Sequence, residues 1–259
     1  MAVQRLPRKS NSATRIGVGV LIALTLSTGV ATVVNLQAGE ASTGPTASAT
    51  ATSEPSSATD YVLSQSAERR ELSDSVGRET NLSEVLPNHL FAVGDRTPAP
   101  LGAGLVFGTI TAATPGAAYV EGTGGSEKVD FDSPEADWRV LVLTVEVDSA
   151  VGAVSGSSTV SIGMVLDPLA DIDLTIEGYK SMGEIIAVLN GPGRYDFDGT
   201  LYSVRQEGAL LGLVSESGEI SFPAVREESA FIGDLHTVAD VLAEATAPVT
   251  ITKIARVAG

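Results

Sequence analysis

The stretch WRVLVLTVEVD, residues 138–148, carries the strongest β-strand signal in the chain. Side chains alternate between the two faces of a strand, so Leu141 and Leu143 point one way while Val140 and Val142 point the other. Both sets are apolar, which is the pattern of a strand that is covered on both faces. We therefore predict a central, buried strand with a sheet built around it.

Other segments rich in β-branched residues, bounded by turn-forming residues, lie on both sides of this strand. Ser217-Gly218 predicts a hairpin turn between two of them. A single late helix is predicted at residues 237–245, with Thr237 as its cap and Asp240 three residues on. The remaining predicted strands are residues 104–112, 158–166, 172–179, 184–190, 200–206, 209–215, 219–225 and 248–257.

These short strands predict an acidic all-β domain over residues 90–259, folded as a sandwich or as a barrel-like sheet. The strand–helix alternation of a doubly wound sheet is missing from the pattern. Before this domain, residues 61–89 have a polar, helix-permitting spacing that ends at Pro87 and contains few apolar positions. We expect a polar helical connector at the surface, partly disordered.

The first part of the chain, residues 1–36, differs from the rest in charge and apolar content. Residues 1–15 contain four of the 16 Lys and Arg, which leaves 12 of these against 32 Asp and Glu in the rest. The segment from Ile16 to Leu36 is uncharged and mostly apolar, with the length of a membrane-spanning helix. Its basic flank predicts a signal anchor with a cytoplasmic N-terminus and an extracytoplasmic remainder. A cleaved signal and secretion are the alternative, with a usable site before Gly39.

Residues 37–60 are almost entirely Ala, Ser, Thr, Pro, Gly and acidic residues, which predicts a disordered linker. No cysteine is present, so thiolate chemistry and disulfides are excluded. The acidic surface repels phosphate, so nucleic acid is not an expected partner. The expected partners are the membrane, through residues 16–36, and an unknown protein or polymer of the cell envelope.

Two resemblances concern the layout of the chain. FAVGDRTP, residues 91–98, followed by a strand and then DWRVLVLTVEV, residues 137–147, is similar to immunoglobulin-like (telokin-like) domains of exported bacterial proteins. The order of basic start, anchor, spacer and acidic β-domain resembles actinobacterial membrane-anchored extracytoplasmic proteins of unknown function. Neither resemblance implies catalytic residues.

A third resemblance concerns chemistry. YDFDGTLY, residues 195–202, resembles the first motif of the haloacid-dehalogenase-like phosphatases, and FIGDLHTVAD resembles their metal-binding motif. The resemblance implies a nucleophile at Asp196, an acid/base at Asp198, and metal ligands at Asp234 and Asp240. However, a Gly-Pro-Gly turn replaces the strand that this family needs before its nucleophile. The family's lysine is also missing between Asp198 and Asp234, so Asp198-Gly199 is interpreted as a hairpin turn.

The remaining candidates are calcium and sugars. The pairs Asp130/Asp132 and Asp171/Asp173, like Asp196/Asp198, have the alternate carboxylates of a calcium loop without the rest of the EF-hand pattern. They are interpreted as solvated acids, with a structural calcium site as the alternative. Trp138 with Tyr119 is a candidate sugar platform, although a core role is favoured for Trp138. His89 and His236 are interpreted as surface residues rather than catalytic bases.

Taken together, the sequence predicts a non-enzymatic binding or structural protein of the cell envelope, held by a single membrane span. No catalytic, cofactor or metal residues are assigned. A cation-dependent phosphatase-like enzyme that uses Asp196, Asp198, Asp234 and Asp240 is one alternative. An accessory subunit of a membrane complex, recruited through the anchor helix, is the other.

Overall fold

The computed structural model describes residues 57–73, 81–122, 125–166, 169–193 and 199–254. The predicted basic segment, the anchor and most of the predicted linker lie outside these residues, as do Asp196 and Asp198. Within the described ranges, no helix combines the length and the apolar character that a bilayer crossing requires.

The described chain is mainly β, as predicted. Two helices come first, a barrel-like sheet follows, and two further helices precede the last strand. The helices are α1 (Ala58–Ser73), α2 (Leu82–Val85), α3 (Ile172–Lys180), α4 (Glu228–Ile232) and α5 (Val238–Thr246). The strands are β1 (His89–Val93), β2 (Ala99–Pro100), β3 (Gly104–Gly122), β4 (Gly125–Val129), β5 (Trp138–Gly152), β6 (Thr159–Leu166), β7 (Glu184–Asn190), β8 (Tyr202–Val204), β9 (Leu211–Val214), β10 (Ile220–Ser221) and β11 (Thr250–Ile254).

Five strands close into a ring. β3 pairs with β5, β5 with β6, β6 with β8, β8 with β7, and β7 returns to β3. All these pairings are antiparallel except that of β6 with β8. Closure removes the free sheet edges that an open sheet would expose, so the body of the molecule is a small barrel.

The long strand β3 makes this closure possible because it bends. Its register with β5 shifts at three points along its length, and such bulges sharpen the local bend and twist of a strand. At Gly108 the partner strand comes so close that a Cβ would overlap the carbonyl of Glu146. The first half of β3 therefore pairs with β7 as well as β5, and the far end pairs with β4.

Alternate side chains of the barrel strands fill its interior. Leu141, Leu143 and Val145 of β5 are fully buried, as the alternation in this strand predicted. Ile162 and Met164 of β6 meet them in the same core. β5 is a central strand, paired on both sides, and this prediction is confirmed.

The segments 200–206 and 209–215, each predicted as a strand and expected to pair with the other, contain the short strands β8 and β9. β8 and β9 do not pair with each other; both lie along the same edge of β7, one after the other. Between them, residues 205–210 leave the sheet through Gln206 and Glu207, which have positive φ angles of 52° and 53°. β8 and β9 thus form one strand along β7 that is interrupted at residues 205–210. Its first part, β8, completes the ring because it also pairs with β6.

The segment 172–179, predicted as a strand, is the helix α3. Asp171 caps it by accepting a hydrogen bond from the backbone N–H of Leu174 at 3.0 Å. Thr175 and Tyr179, four residues apart, are both buried, which is the spacing of one helix face. The expectation of a single late helix is also wrong, since α3 and α4 precede α5 within the described residues.

The described parts of the expected surface connector, residues 61–73 and 81–89, contribute side chains to the core. α1 begins at Ala58, inside the predicted linker, and buries Val62, Leu63 and Ser66. Leu82 and Val85 of α2 are likewise fully buried. The sparse apolar residues are sufficient here because both apolar side chains of α2 join the same core cluster as those of the barrel strands.

Other predictions agree with the structure. Strand β7 has the predicted bounds, and α5 begins after Thr237 as expected. The turn at Ser217-Gly218 closes a hairpin in which Ile220 is paired with Val214. The last predicted strand exists as β11, which pairs in parallel with β1 in a separate three-stranded sheet.

Candidate functional site

A groove of about 530 Å³ lies on the outside of the barrel, between helix α5 and the sheet. Phe107 of β3, Glu184 of β7 and Val214 of β9 form its sheet side, and Leu242 of α5 faces them. These elements are far apart in sequence. The groove is thus a product of the tertiary fold and not of one flexible loop.

The floor of the groove is apolar. Val214, Val238 and Leu242 pack against the edge of the core, and these three residues and Phe107 are all half-buried. Phe107 is on the outer face of β3, because its neighbours Val106 and Gly108 are buried in the barrel. Apolar side chains left partly open to water in a concave site are the usual anchor points for a ligand or a partner.

One wall of the groove is a rigid turn. In the β9–β10 turn, the N–H of Gly218 donates to the carbonyl of Ser215 at 2.8 Å. The side chain of Ser217 donates to the carboxylate of Glu219 at 3.2 Å. The turn is also tied to the opposite wall, since the N–H of Val238 donates to the carbonyl of Gly218 at 3.0 Å. The groove is therefore formed before any ligand arrives.

The helix wall is fixed by a capping box at the start of α5. The N–H of Asp240 donates to the hydroxyl of Thr237 at 3.2 Å, and the Asp240 carboxylate accepts from the Thr237 N–H at 2.9 Å. The Thr237 hydroxyl also donates a hydrogen bond to this carboxylate. This bond first, and then the bond from the Thr237 N–H, hold the pKa of Asp240 below its ordinary value of 3.8. The carboxylate is thus engaged within its own helix turn.

This engagement bears on the predicted metal ligands. Asp240 serves the helix, and Asp234 is exposed in the turn after α4. Across the described residues, no group of three or more His, Asp or Glu side chains is arranged to hold a metal ion. Asp196 and Asp198 lie outside the described residues, so their predicted roles stay untested.

The two other carboxylate pairs separate into different local roles. Asp171 is the cap of α3 and Asp173 is in its first turn. Asp130 and Asp132 lie after β4, where the carbonyl of Asp130 accepts from the N–H of Ser133 at 2.9 Å. A structural calcium ion at these pairs stays a prediction.

The rim of the groove is acidic. Glu184 and Glu216 both line it and are both exposed, and no Lys or Arg is among its lining residues. Thr109 is paired with Glu184 on β7 and with Glu146 on β5, so a third carboxylate stands on the same outer face of the sheet. This end of the barrel presents negative charge beside apolar surface.

A second concavity, of about 850 Å³, lies over residues 128–134. One continuous segment forms it, braced by Arg139, whose side chain donates to the carbonyls of Phe131 and Ser133 at 2.7 Å each. Beside it, Trp138 stacks on Tyr119 with ring centroids 4.2 Å apart. Tyr119 is almost fully buried, so this aromatic pair belongs to the packing of the β3–β5 ladder and offers no open two-ring platform.

The two histidines have structural surroundings. His89 stacks on Phe91 and its Nε2 is 2.9 Å from the Thr252 hydroxyl. His236 is exposed, and its backbone carbonyl accepts from the N–H of Ile220.

The strand order is that of a small Greek-key barrel, with one parallel closure in the ring and helix α3 between its third and fourth strands. In the OB-fold, another five-stranded Greek-key barrel, ligands cross the face of the second and third strands. In this chain that outer face pairs Thr144 with Ser161 and Glu146 with Thr159. These four side chains are three hydroxyls and a carboxylate, and none of them is of the basic or aromatic kind that binds single-stranded nucleic acid.

Comparisons with known proteins add no relative. No family model, no curated protein and no solved structure matches this chain.

Proposed function

We propose that this protein is a membrane-anchored, non-enzymatic binding module of the cell envelope, which holds a partner in the groove between α5 and the barrel. The single observation that carries the binding role is the groove itself. Its apolar floor is built from elements distant in sequence, and its walls are joined by backbone hydrogen bonds before a ligand is present. A preformed concave site of a few hundred Å³ is the usual form of a binding site.

The anchored, extracytoplasmic location rests on the sequence. The support is the basic residues 1–15, the apolar residues 16–36 and the acidic chain that follows, a layout that resembles actinobacterial membrane-anchored proteins. Alkaline extraction of cells that make the full chain tests the anchor. The full-length chain stays with the membrane if residues 16–36 anchor it, and a shortened chain in the soluble fraction would show that the segment is a cleaved signal.

Site-specific photo-cross-linking in the same cells tests the binding role. A photoreactive residue in place of Ser217, on the groove wall, is expected to capture a partner. The same residue in place of Ser155, in the exposed turn between β5 and β6, is the matched control. Capture at Ser155 without capture at Ser217 would contradict a binding role for the groove, and so would no capture at either position.

A further inference from the structure

We infer that the groove accepts a polypeptide segment in which apolar side chains are flanked by Lys or Arg. The inference rests on the proposed binding role and adds the chemistry of the partner. It combines two properties of the same site, which are the apolar floor and the sign of the charge around it.

The floor sets the first requirement. Phe107, Val214 and Leu242 come from a strand, a strand end and a helix, and all three are half-buried. Covering them takes an apolar side chain that enters between α5 and the sheet. A wholly polar ligand, such as a hydrophilic glycan, would leave this surface without a matching group.

The rim sets the second requirement. Glu219 is hydrogen-bonded to Ser217, and Asp240 is committed to its cap, so these two carboxylates serve the walls. Glu184 and Glu216 are exposed among the residues that line the groove, and Glu146 lies on the same outer face of the sheet as Glu184. Such a rim attracts cationic groups and repels phosphates and carboxylates.

The shape favours a polypeptide over a small cation. The groove is an open trough between a helix and a sheet, bordered by the β9–β10 turn, and it runs on to the acidic outer face of β3 and β5. A chain segment can place an apolar side chain on the floor and cations at Glu184 and Glu216 together. Rim charges of this kind mainly raise the association rate, so the binding is expected to weaken as salt is added.

The test uses the full chain in nanodiscs of zwitterionic lipid and the fluorescence anisotropy of short labelled peptides, with empty nanodiscs as the blank. The first peptide alternates Lys with Leu; in the second, Glu replaces Lys; in the third, Ser replaces Leu. We expect the Lys-Leu peptide to bind, and each of the other two to bind at least about tenfold more weakly, since both the charge and the apolar contact are required.

Two sets of variants assign the binding to the groove. Ala239→Trp fills the groove from an exposed position of α5 without removing a core side chain, and Ala230→Trp on α4 is its control. Glu184→Gln with Glu216→Gln removes the rim charge, and Glu127→Gln with Glu135→Gln removes the same charge elsewhere. Ala239→Trp should weaken binding at least about tenfold and the rim pair about fivefold, with a loss of salt dependence, while both controls bind as the parent does.

The outcomes separate this inference from the binding role. Equal binding of all three peptides, or unchanged binding by Ala239→Trp, would overturn the inference. A cross-linked partner at Ser217 whose captured segment is neutral or acidic would overturn it as well, while leaving the binding role standing. Failure of cross-linking at Ser217 would remove the binding role itself.

Discussion

Gly178 of α3 and the carbonyl oxygen of Ala58 are in direct contact, so close that a Cβ on residue 178 would overlap the carbonyl. This contact seats helix α1 on helix α3. Two polar contacts reinforce it, since the Thr59 hydroxyl reaches the carbonyl of Gly178 and the N–H of Asp171 donates to the Tyr61 hydroxyl at 2.9 Å. The first described helix is thereby fixed to the barrel.

Replacing Gly178 should therefore loosen α1. We expect Gly178→Val to lower the free energy of unfolding by about 1–3 kcal/mol, because the added side chain forces two packed backbones apart. Hydrogen exchange should rise in the α1 amides more than in those of β5. Gly191→Ala is the control, since a Cβ there meets no atom within 4 Å. Unchanged exchange in α1 would show that the two helices are not coupled.

The capping box of α5 predicts a dependence on pH. The lowered pKa of Asp240 means that its charged form stabilises the fold at pH values above its ordinary 3.8, and that this contribution is lost as the pH falls through the lowered value. Asp240→Asn should thus lower the free energy of unfolding at neutral pH. The difference in unfolding free energy between this variant and the parent should shrink in acid. Urea denaturation across pH measures both, with Asp234→Asn as the control.

Thr237, the other residue of the capping box, predicts a loss of stability of known size. Thr237→Ala removes the side chain that caps α5 and should cost about 1 kcal/mol at neutral pH. If Asp240 acts through Thr237, the variant that combines Thr237→Ala with Asp240→Asn should lose less unfolding free energy than the two single variants lose together. Strict additivity would show that the two side chains stabilise the helix independently.

Arg205 predicts a loss of stability at the interrupted strand. Its guanidinium donates to the carbonyl of Leu101 and to Oδ1 of Asn190, and Asn190 in turn donates to the Ser203 hydroxyl at 3.1 Å. Arg205→Met should lower the unfolding free energy by about 1–3 kcal/mol, because it leaves part-buried acceptors without these donors. Arg96→Met, in an exposed turn, should change stability little by the same urea measurement.

The left-handed backbone at Glu207 predicts an order among substitutions. At a φ of 53° and a ψ of 31°, a β-branched side chain is strained and glycine is not. Glu207→Val should thus cost about 1–2 kcal/mol relative to Glu207→Gly in thermal or urea melts. Glu127→Val and Glu127→Gly, in strand β4, should give the opposite order, since glycine is the disfavoured residue in a strand. Valine and glycine behaving alike at position 207 would argue against the left-handed turn.

The sequence was sufficient for the elements whose signals are local. Alternation identified β5, a short apolar run bounded by turn-forming residues identified β7, and the Thr237 cap identified α5. For residues 172–179 two periods competed, because Ile172, Leu174 and Ile176 alternate as in a strand while Thr175 and Tyr179 share a helix face. The Asp171 cap decides for the helix, and it was the available signal that the strand interpretation passed over.

Other features depend on relationships that no local pattern records. The ring closes only because β3 bends at its bulges and because residues 205–210 leave the sheet through two non-glycine residues with positive φ. The groove was missed for the same reason, since Phe107, Glu184, Val214 and Leu242 come together only in the folded chain. The predicted place of Asp240, three residues after the cap Thr237, is confirmed, because that capping signal is local.

The seating of α1 on α3 also has a mechanical consequence. Any pull on the domain from the chain before Ala58 enters through α1 and is carried first by the contact with Gly178 and by the buried Val62 and Leu63. The strand ladders of the ring are not at the point of attachment. If the proposed anchor holds the chain, the α1–α3 contact would yield before the strand ladders, and the tether would lengthen by one unseated helix while the groove stayed whole.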